Sequence, residues 1–447
     1  MLKALGLVLV LILLAVLKKI IPVEWREKLI PVEREEWGPV LLATAYGFCI
    51  LFSYYILRAV RDEISVADRG NLQYLWTAVF FVMLMAVPLY SHFVSRFSRG
   101  VFIPWANRFF GLNLVLFFVA LRLLPLEARP WIDRVFYIWA SVFALFVVAV
   151  FWGFVVDLFR GTQGKRVFGF IAVGSSLGGI LGSFLTTQIA SLVPVFFLLL
   201  IAVVPLEVAA WLARSLHRKA GAGQNTLRVE GKGRIPGNAW TGIWLVLRSP
   251  YMGMIATYIF LMTFASTVLY FQQADLVGQA FGDDRGASRG FLASIDMYTN
   301  ILTIFGQGFL AAHLLRWLGI GLSLAFLPAL AFLGFLSLGT YPLLLVLVGL
   351  QILYRSGRYA VARPAREVLY TVVGREERYK SKAFIDAAVY RGGDLVNGWV
   401  YTGLQALGLS VGAIALVAVP VMGVWMGIGL LLGRAQEERR KSWTDQG

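Results

Sequence analysis

Residues 213–240 read ARSLHRKAGAGQNTLRVEGKGRIPGNAW and lie between two long apolar stretches of similar size. The segment is Gly-rich, carries Arg214, Arg218, Lys219, Arg228, Lys232 and Arg234, and has no apolar periodicity. That is the composition of a solvated linker. On both sides of it the chain turns apolar. Hydrophobic residues make up 59%, charged residues 15%, and the mean hydropathy is +0.73, well outside the range of soluble domains. The chain reads as an all-α polytopic membrane protein.

Apolar runs of about twenty residues, the length that crosses a bilayer, recur about twelve times. Before the linker they fall near 38–58, 72–93, 102–121, 136–157, 167–189 and 193–212. After it they fall near 252–272, 289–312, 319–338, 342–360, 383–407 and 408–432. The expected organisation is an N-terminal apolar anchor or interfacial segment (1–37), a six-helix half (38–212), the basic linker (213–240), a second six-helix half (241–433) and a tail (434–447). Residues 1–21 look like a signal h-region, but a charged stretch rich in Glu follows them where a small-residue cleavage site belongs, so an anchor is the preferred reading.

The formal net charge is +16. With the N-terminus inside, the loops 94–100, 158–166, 213–240, 313–318 and 361–382 and the tail are cytoplasmic, and they hold most of the Lys and Arg. This is the positive-inside pattern plus contact with anionic lipid, not a nucleic-acid surface. The expected setting is a bacterial inner membrane with both termini cytoplasmic, and the expected partners are the lipid bilayer and a small anionic solute.

Enzyme chemistry finds little support. His92, His217 and His313 are scattered at span ends and loops without Cys or carboxylate partners nearby, and Cys49 is the sole cysteine, so neither metal nor cofactor binding is expected. Gly161-Thr-Gln-Gly164-Lys165-Arg166 lacks the spacing of a phosphate loop and reads as a basic turn.

The informative residues are polar ones inside apolar spans, since each costs a few kcal/mol unless paired or in a wet cavity. In the first span, Tyr54, Arg58, Arg61 and Asp62 share a face, with Arg58 and Asp62 spaced to pair. In the eighth, Asp296, Asn300, Thr303 and Gln307 form a polar stripe. In the tenth, Arg355, Arg358 and Arg366 fall on roughly one face until Pro364 disturbs it. In the eleventh, Asp386, Tyr390, Asp394, Asn397, Tyr401 and Gln405 follow at steps of four, four, three, four and four, one continuous face of an α-helix. Such stripes line an aqueous cavity or glue helices together by hydrogen bonds; the acids favour the cavity. A surplus of Arg over carboxylate suits phosphate or carboxylate groups. The candidate substrate-binding residues are Arg58, Arg61, Asp296, Asn300, Arg358, Arg366, Asp386, Arg391 and Asp394. In the fifth span Gly174, Gly178 and Gly182 recur at steps of four, a spacing for close helix packing.

Two six-helix halves joined by a basic central loop resemble the major-facilitator layout. Four motifs narrow the resemblance to the ATP/ADP translocase-type nucleotide transporters. Ile56-Leu57-Arg58-Ala59-Val60-Arg61-Asp62 is similar to the family's first-span motif, with Arg61 in place of a Lys. Phe151-Trp152-Gly153-Phe154 matches its fourth span; Arg358-Tyr359 with Arg366-Glu367 resembles KYxxxxxxKE; and Ile385-Asp386 with Arg391 and Gly393 resembles ID-x4-R-x-G. The resemblance implies alternating-access transport of an organic anion, best a nucleotide, by ATP/ADP exchange or with protons. The alternatives are another phosphorylated solute or a flipped lipid, and a non-transporting membrane anchor or sensor. Tyr137, Gln272 and Gln273, and Asp394 stand where the family carries two acids and a Lys.

Overall fold

In a bilayer every backbone N–H and C=O has to be satisfied within the protein, which leaves helices as the only open-chain solution for apolar spans. A computed structural model describes residues 36–97, 99–159, 161–223, 240–307 and 311–444. The described chain is helical throughout and contains no strand. The N-terminal anchor and most of the linker lie outside the described residues.

Six long helices precede the linker: α1 Trp37–Ala67, α2 Leu72–Arg96, α3 Arg99–Leu123, α4 Arg129–Leu158, α5 Gly161–Ile189 and α6 Val195–Gly223. After it come a short α7 Trp240–Arg248, then α8 Pro250–Phe281, α9 Arg285–Phe305 and α10 Ala311–Thr340. The rest is more broken: α11 Leu344–Gly357, α12 Arg363–Leu369, α13 Arg375–Phe384, α14 Tyr390–Ala406 and α15 Val411–Thr444. Local signals set several ends. The Ser249 hydroxyl accepts from the Met252 N–H at 3.4 Å with Pro250 in the first turn, a standard N-terminal arrangement. Gly282, at φ +55°, ends α8, a conformation that costs glycine little. Gly319, at φ +68°, kinks α10.

Every span expected from sequence has a helical counterpart. Among the described residues nine helices are long and apolar enough to cross a membrane. The eighth, tenth and eleventh spans do not reach that standard, and these are the three with the longest polar stripes. The tenth is α11 and α12 joined by a π-helical turn at Arg358–Ala362, and the eleventh is α13 and α14 joined by another at Ile385–Val389. Pro364 does not end its helix: it sits in the first turn of α12, where its missing N–H is least costly.

The chain forms two compact units, each mostly one sequence half plus a piece of the other. The first gathers the described residues 36–64, 81–223 and 284–297. The second gathers 65–80, 240–283 and 298–444. In the first, the glycine stripe of α5 lies backbone to backbone on α1. A Cβ at Gly174 would strike Thr44, one at Gly178 the Phe48 carbonyl, and one at Gly182 the Phe52 carbonyl. Lipid tails are as apolar as the helices, so such close packing replaces the hydrophobic drive as the force that joins spans. In the second unit, Tyr258 and Tyr354 are fully buried and donate to the carbonyls of Leu324 at 2.8 Å and Met262 at 3.0 Å. Elsewhere large apolar side chains such as Leu84, Met85, Leu247 and Leu345 point outward, as a lipid-facing surface requires and an aqueous one does not.

Candidate functional site

The first unit holds an arginine cluster on α1. The Arg58 side chain is only 13% exposed, covered in part by Asp296 from α9 and by Tyr54 and Tyr55. Its Nε lies 3.1 Å from Asp296 Oδ2 on α9 and 3.4 Å from Asp62 Oδ2 one turn on. Its Nη1 reaches the Tyr54 hydroxyl at 3.4 Å, and the guanidinium stands over the Tyr55 ring at 5.8 Å. Arg61 grips the same carboxylate from the other side, with Nη2 2.7 Å and Nε 3.1 Å from Asp62 Oδ1. Asp62 and Asp296 are buried. Two arginines over two carboxylates leave the local charge balanced. An incoming anion would have to displace a carboxylate. Arg61 also lies over the Tyr137 ring at 5.8 Å. Tyr137 occupies the position where the resembled family carries an acid, so a cation–aromatic contact holds the guanidinium here.

The second unit holds two further clusters. Arg358, in the first π turn, donates from Nη2 to the Tyr390 hydroxyl at 2.8 Å. The guanidinium groups of Arg358 and Arg391 both stand 5.7 Å from the Tyr390 ring centre. Arg391 Nη1 is 3.6 Å from Asp394 Oδ2. The other cluster joins Arg366 on α12 to Asp386 in the second π turn, Nη2 to Oδ1 at 3.5 Å, with Glu367 at 3.9 Å from the same nitrogen. Lys382 pairs with Glu367 at 2.5 Å and its ammonium lies over the Tyr370 ring at 5.6 Å. The Nε of Arg366 is buried without a hydrogen bond.

The candidate residues are thus brought together in sets. Arg58, Arg61 and Asp296 form one; Arg358, Arg391 and Asp394 form another around Tyr390; Arg366 and Asp386 form a third. Asn300, one helical turn beyond Asp296, falls in the second unit.

The stripe on the eleventh span is not one face of one helix. In a π turn a step of four residues falls short of a full turn, so Asp386 is rotated away from the line through Tyr390. The far end is interhelical glue, not cavity. Asn397 Nδ2 donates to Thr263 Oγ1 at 3.0 Å, and Tyr401 Oη and Gln405 Nε2 both donate to Asp275 Oδ2 at 2.8 Å. All three bonds run to α8. Gln351 Nε2 bonds Gln273 Oε1 at 3.0 Å and Gln272 Nε2 reaches the Val411 carbonyl at 2.9 Å. The glutamines that stand where the family has an acid therefore hold helices together.

Sequence reading passed over Glu63, Asp133, Asp275, Arg285 and Arg289. Glu63 is 1% exposed although it lies beside Asp62 in an apolar span. Arg285 and Arg289, four apart at the start of α9, were legible only as a span end. Among the described residues no group of His, Cys, Asp and Glu is arranged to hold a metal ion, and Cys49 is buried as a free thiol.

Comparison with known proteins agrees with the motif reading. The profile of the TLC ATP/ADP transporter family matches residues 18–127. An ADP,ATP carrier protein 1 of Chlamydia trachomatis is 23% identical over 478 aligned positions, covering 90% of this chain and 89% of that protein. Among solved structures, a mutant of the nucleoside transporter NupG is 13% identical with a TM-score of 0.60, covering 90% of this chain and 98% of that one. The inward-open xylose transporter XylE from E. coli is 13% identical with a TM-score of 0.59, covering 87% and 95%. At such identities the solved structures establish the fold alone. The chain is thus similar to the TLC ATP/ADP transporters at residues 18–127 and to ADP,ATP carrier proteins over about 90% of its length, and it is a polytopic membrane protein with the fold of the solved major-facilitator transporters.

Proposed function

We propose that this transporter carries a nucleotide across a bacterial inner membrane by alternating access, with both termini in the cytoplasm. Arg58, Arg61, Arg358, Arg366 and Arg391 receive the phosphate oxygens, and Asp296, Asp386 and Asp394 hold the arginines when no substrate is bound. Asn300 adds a neutral donor and acceptor. The observation that carries this reading is Arg58, which sits in an apolar span between two buried carboxylates and a tyrosine hydroxyl. A guanidinium held this way is preorganised for bidentate contact with phosphate. The names of the carriers that the chain resembles point to adenine nucleotides among the organic anions.

The direct test is uptake of labelled ATP and ADP into liposomes carrying the purified protein. Uptake that requires nucleotide on the opposite side indicates exchange; uptake that follows an imposed proton gradient indicates symport. Absence of nucleotide uptake in liposomes that scramble a labelled lipid would replace the nucleotide reading with lipid transport.

A further inference from the structure

We infer that the exposed face shared by α3 and α6 is where a second copy of this chain docks, around an ion pair that lies within the hydrocarbon. Arg108 on α3 and Glu207 on α6 form a two-pronged pair: Nε donates to Oε2 at 3.0 Å and Nη2 donates to Oε1. Both residues belong to the first unit. Their side chains nevertheless stay 41% and 42% exposed. The helices that carry the pair set its depth. Arg108 lies inside the apolar span Gly100–Leu123, and Glu207 lies near the middle of the span Val195–Arg218. The two helices run side by side in opposite directions. A Cβ on Gly100 would run into the His217 ring, and one on Gly111 would stand 3.9 Å from Val203. Arg108 and Glu207 therefore meet at one level, and neither side chain stretches to a membrane surface.

A charged pair that faces lipid needs a physical reason. Ionisable groups inside a membrane almost always face a bundle interior or a wet cavity, because exposure to hydrocarbon is costly. Joining α3 to α6 does not supply the reason, since a well-packed apolar pair would do that at least as well. The residues around the pair are apolar and exposed as well. Trp105 stands three before Arg108, Leu112 four after it, and Trp211 four after Glu207, spacings that put them on the same faces of their helices. The surface is thus an apolar patch with one positive and one negative group at its centre and a tryptophan on each helix. Tryptophan and arginine are enriched among the side chains that anchor protein interfaces.

The arrangement of the charges selects the occupant. Two copies of a chain inserted in the same direction close as a twofold pair only about an axis along the membrane normal, so residues at equal depth meet. Arg108 and Glu207 are at equal depth, side by side and of opposite sign. Half a turn about that axis brings Arg108 of each copy to Glu207 of the other. Four charges then close into one cluster, screened from lipid by the tryptophans. No lipid headgroup gains as much: an anionic one would meet Glu207, and a cationic one would meet Arg108.

The test exchanges the charges. A chain carrying Arg108→Glu together with Glu207→Arg keeps the pair within each copy and is expected to unfold in detergent at the parent's midpoint. Parent and exchanged chains, labelled with donor or acceptor fluorophores, are reconstituted in liposomes at low protein-to-lipid ratio. Energy transfer is expected from parent to parent and from exchanged chain to exchanged chain. Between the two kinds arginine would meet arginine and glutamate would meet glutamate. Association there should fall roughly tenfold or more, the order of effect that polar contacts between membrane helices carry. Parent that shows no transfer above a diluted control overturns the proposal. So does parent that associates equally with itself and with the exchanged chain. Trp211→Ala leaves both charges in place and covers the case of an exchanged chain that fails to fold. Its self-association is expected to weaken, and unchanged association overturns the proposal. No readout uses a transported solute, so the result stands apart from the nucleotide reading.

Discussion

Arg58 and its two carboxylates set the chemistry at the scale of single residues. Removing one partner of a buried ion pair typically costs about 3–5 kcal/mol, because the survivor stays buried and uncompensated. Arg58 has two carboxylates, at 3.1 Å and 3.4 Å, so losing one still leaves it paired. Asp296→Asn is therefore expected to fold, to bind ADP more tightly because one competitor for the guanidinium is gone, and to turn over more slowly because release loses its counter-ion. Calorimetric titration beside uptake rates would show the split. Equal weakening of both would refute the competition of Asp296 with substrate. Arg58→Ala and Arg358→Ala should each lower ADP uptake roughly tenfold or more, since a hydrogen bond to a charged group contributes about 1.5–3 kcal/mol. Protein level and thermal stability measured in parallel would separate loss of recognition from loss of folding.

At the scale of elements, two features shape function: the glycine face of α5 and the two π turns. Gly178→Leu would drive a side chain into the Phe48 backbone, where no rotamer change makes room. Overpacking of this kind costs about 1–3 kcal/mol, and a fall of several degrees in the unfolding midpoint in detergent is expected. An unchanged midpoint would mean that α1 and α5 do not pack this closely. The π turns carry Arg358 and Asp386, and π bulges recur at functional sites because the extra residue re-aims a side chain. Deleting Ala388, an exposed residue of the second turn, should restore plain α-helix and swing Asp386 off Arg366. Helicity by circular dichroism is expected to persist while uptake falls. Retained uptake would show that the Arg366–Asp386 pair is dispensable.

The whole molecule adds the exchange of short pieces between units, 65–80 in one direction and 284–297 in the other. Around the first piece, Arg69 lies against Gly278, Trp76 meets Phe271 at 5.3 Å, and Trp399 Nε1 donates to Thr77 Oγ1 at 3.0 Å. Contacts of this sort tie the borrowed segment to α8 and α14 of its own unit. Reconstituted protein is expected to take up ADP at a rate that depends on nucleotide or a proton gradient across the membrane. A rate indifferent to both would leave simple facilitated diffusion.

The twelve spans and the all-α class follow from the sequence alone, because a bilayer forces any apolar run of about twenty residues into a helix whatever its neighbours. The positions of Arg58, Arg61, Asp296, Arg358 and Asp386 were legible for the same reason, since a charge in an apolar span stands out by its cost. Tertiary structure decided what those residues touch. Local periodicity assumes an unbroken α-helix, so one π turn at Ile385–Val389 made the apparent stripe of the eleventh span into an arginine site and a seam of hydrogen bonds to α8. Glu63 could not be told from Asp62 beside it in sequence, because its partner Arg285 lies 222 positions away. Pairing of that kind is fixed by packing between helices, which no local pattern encodes.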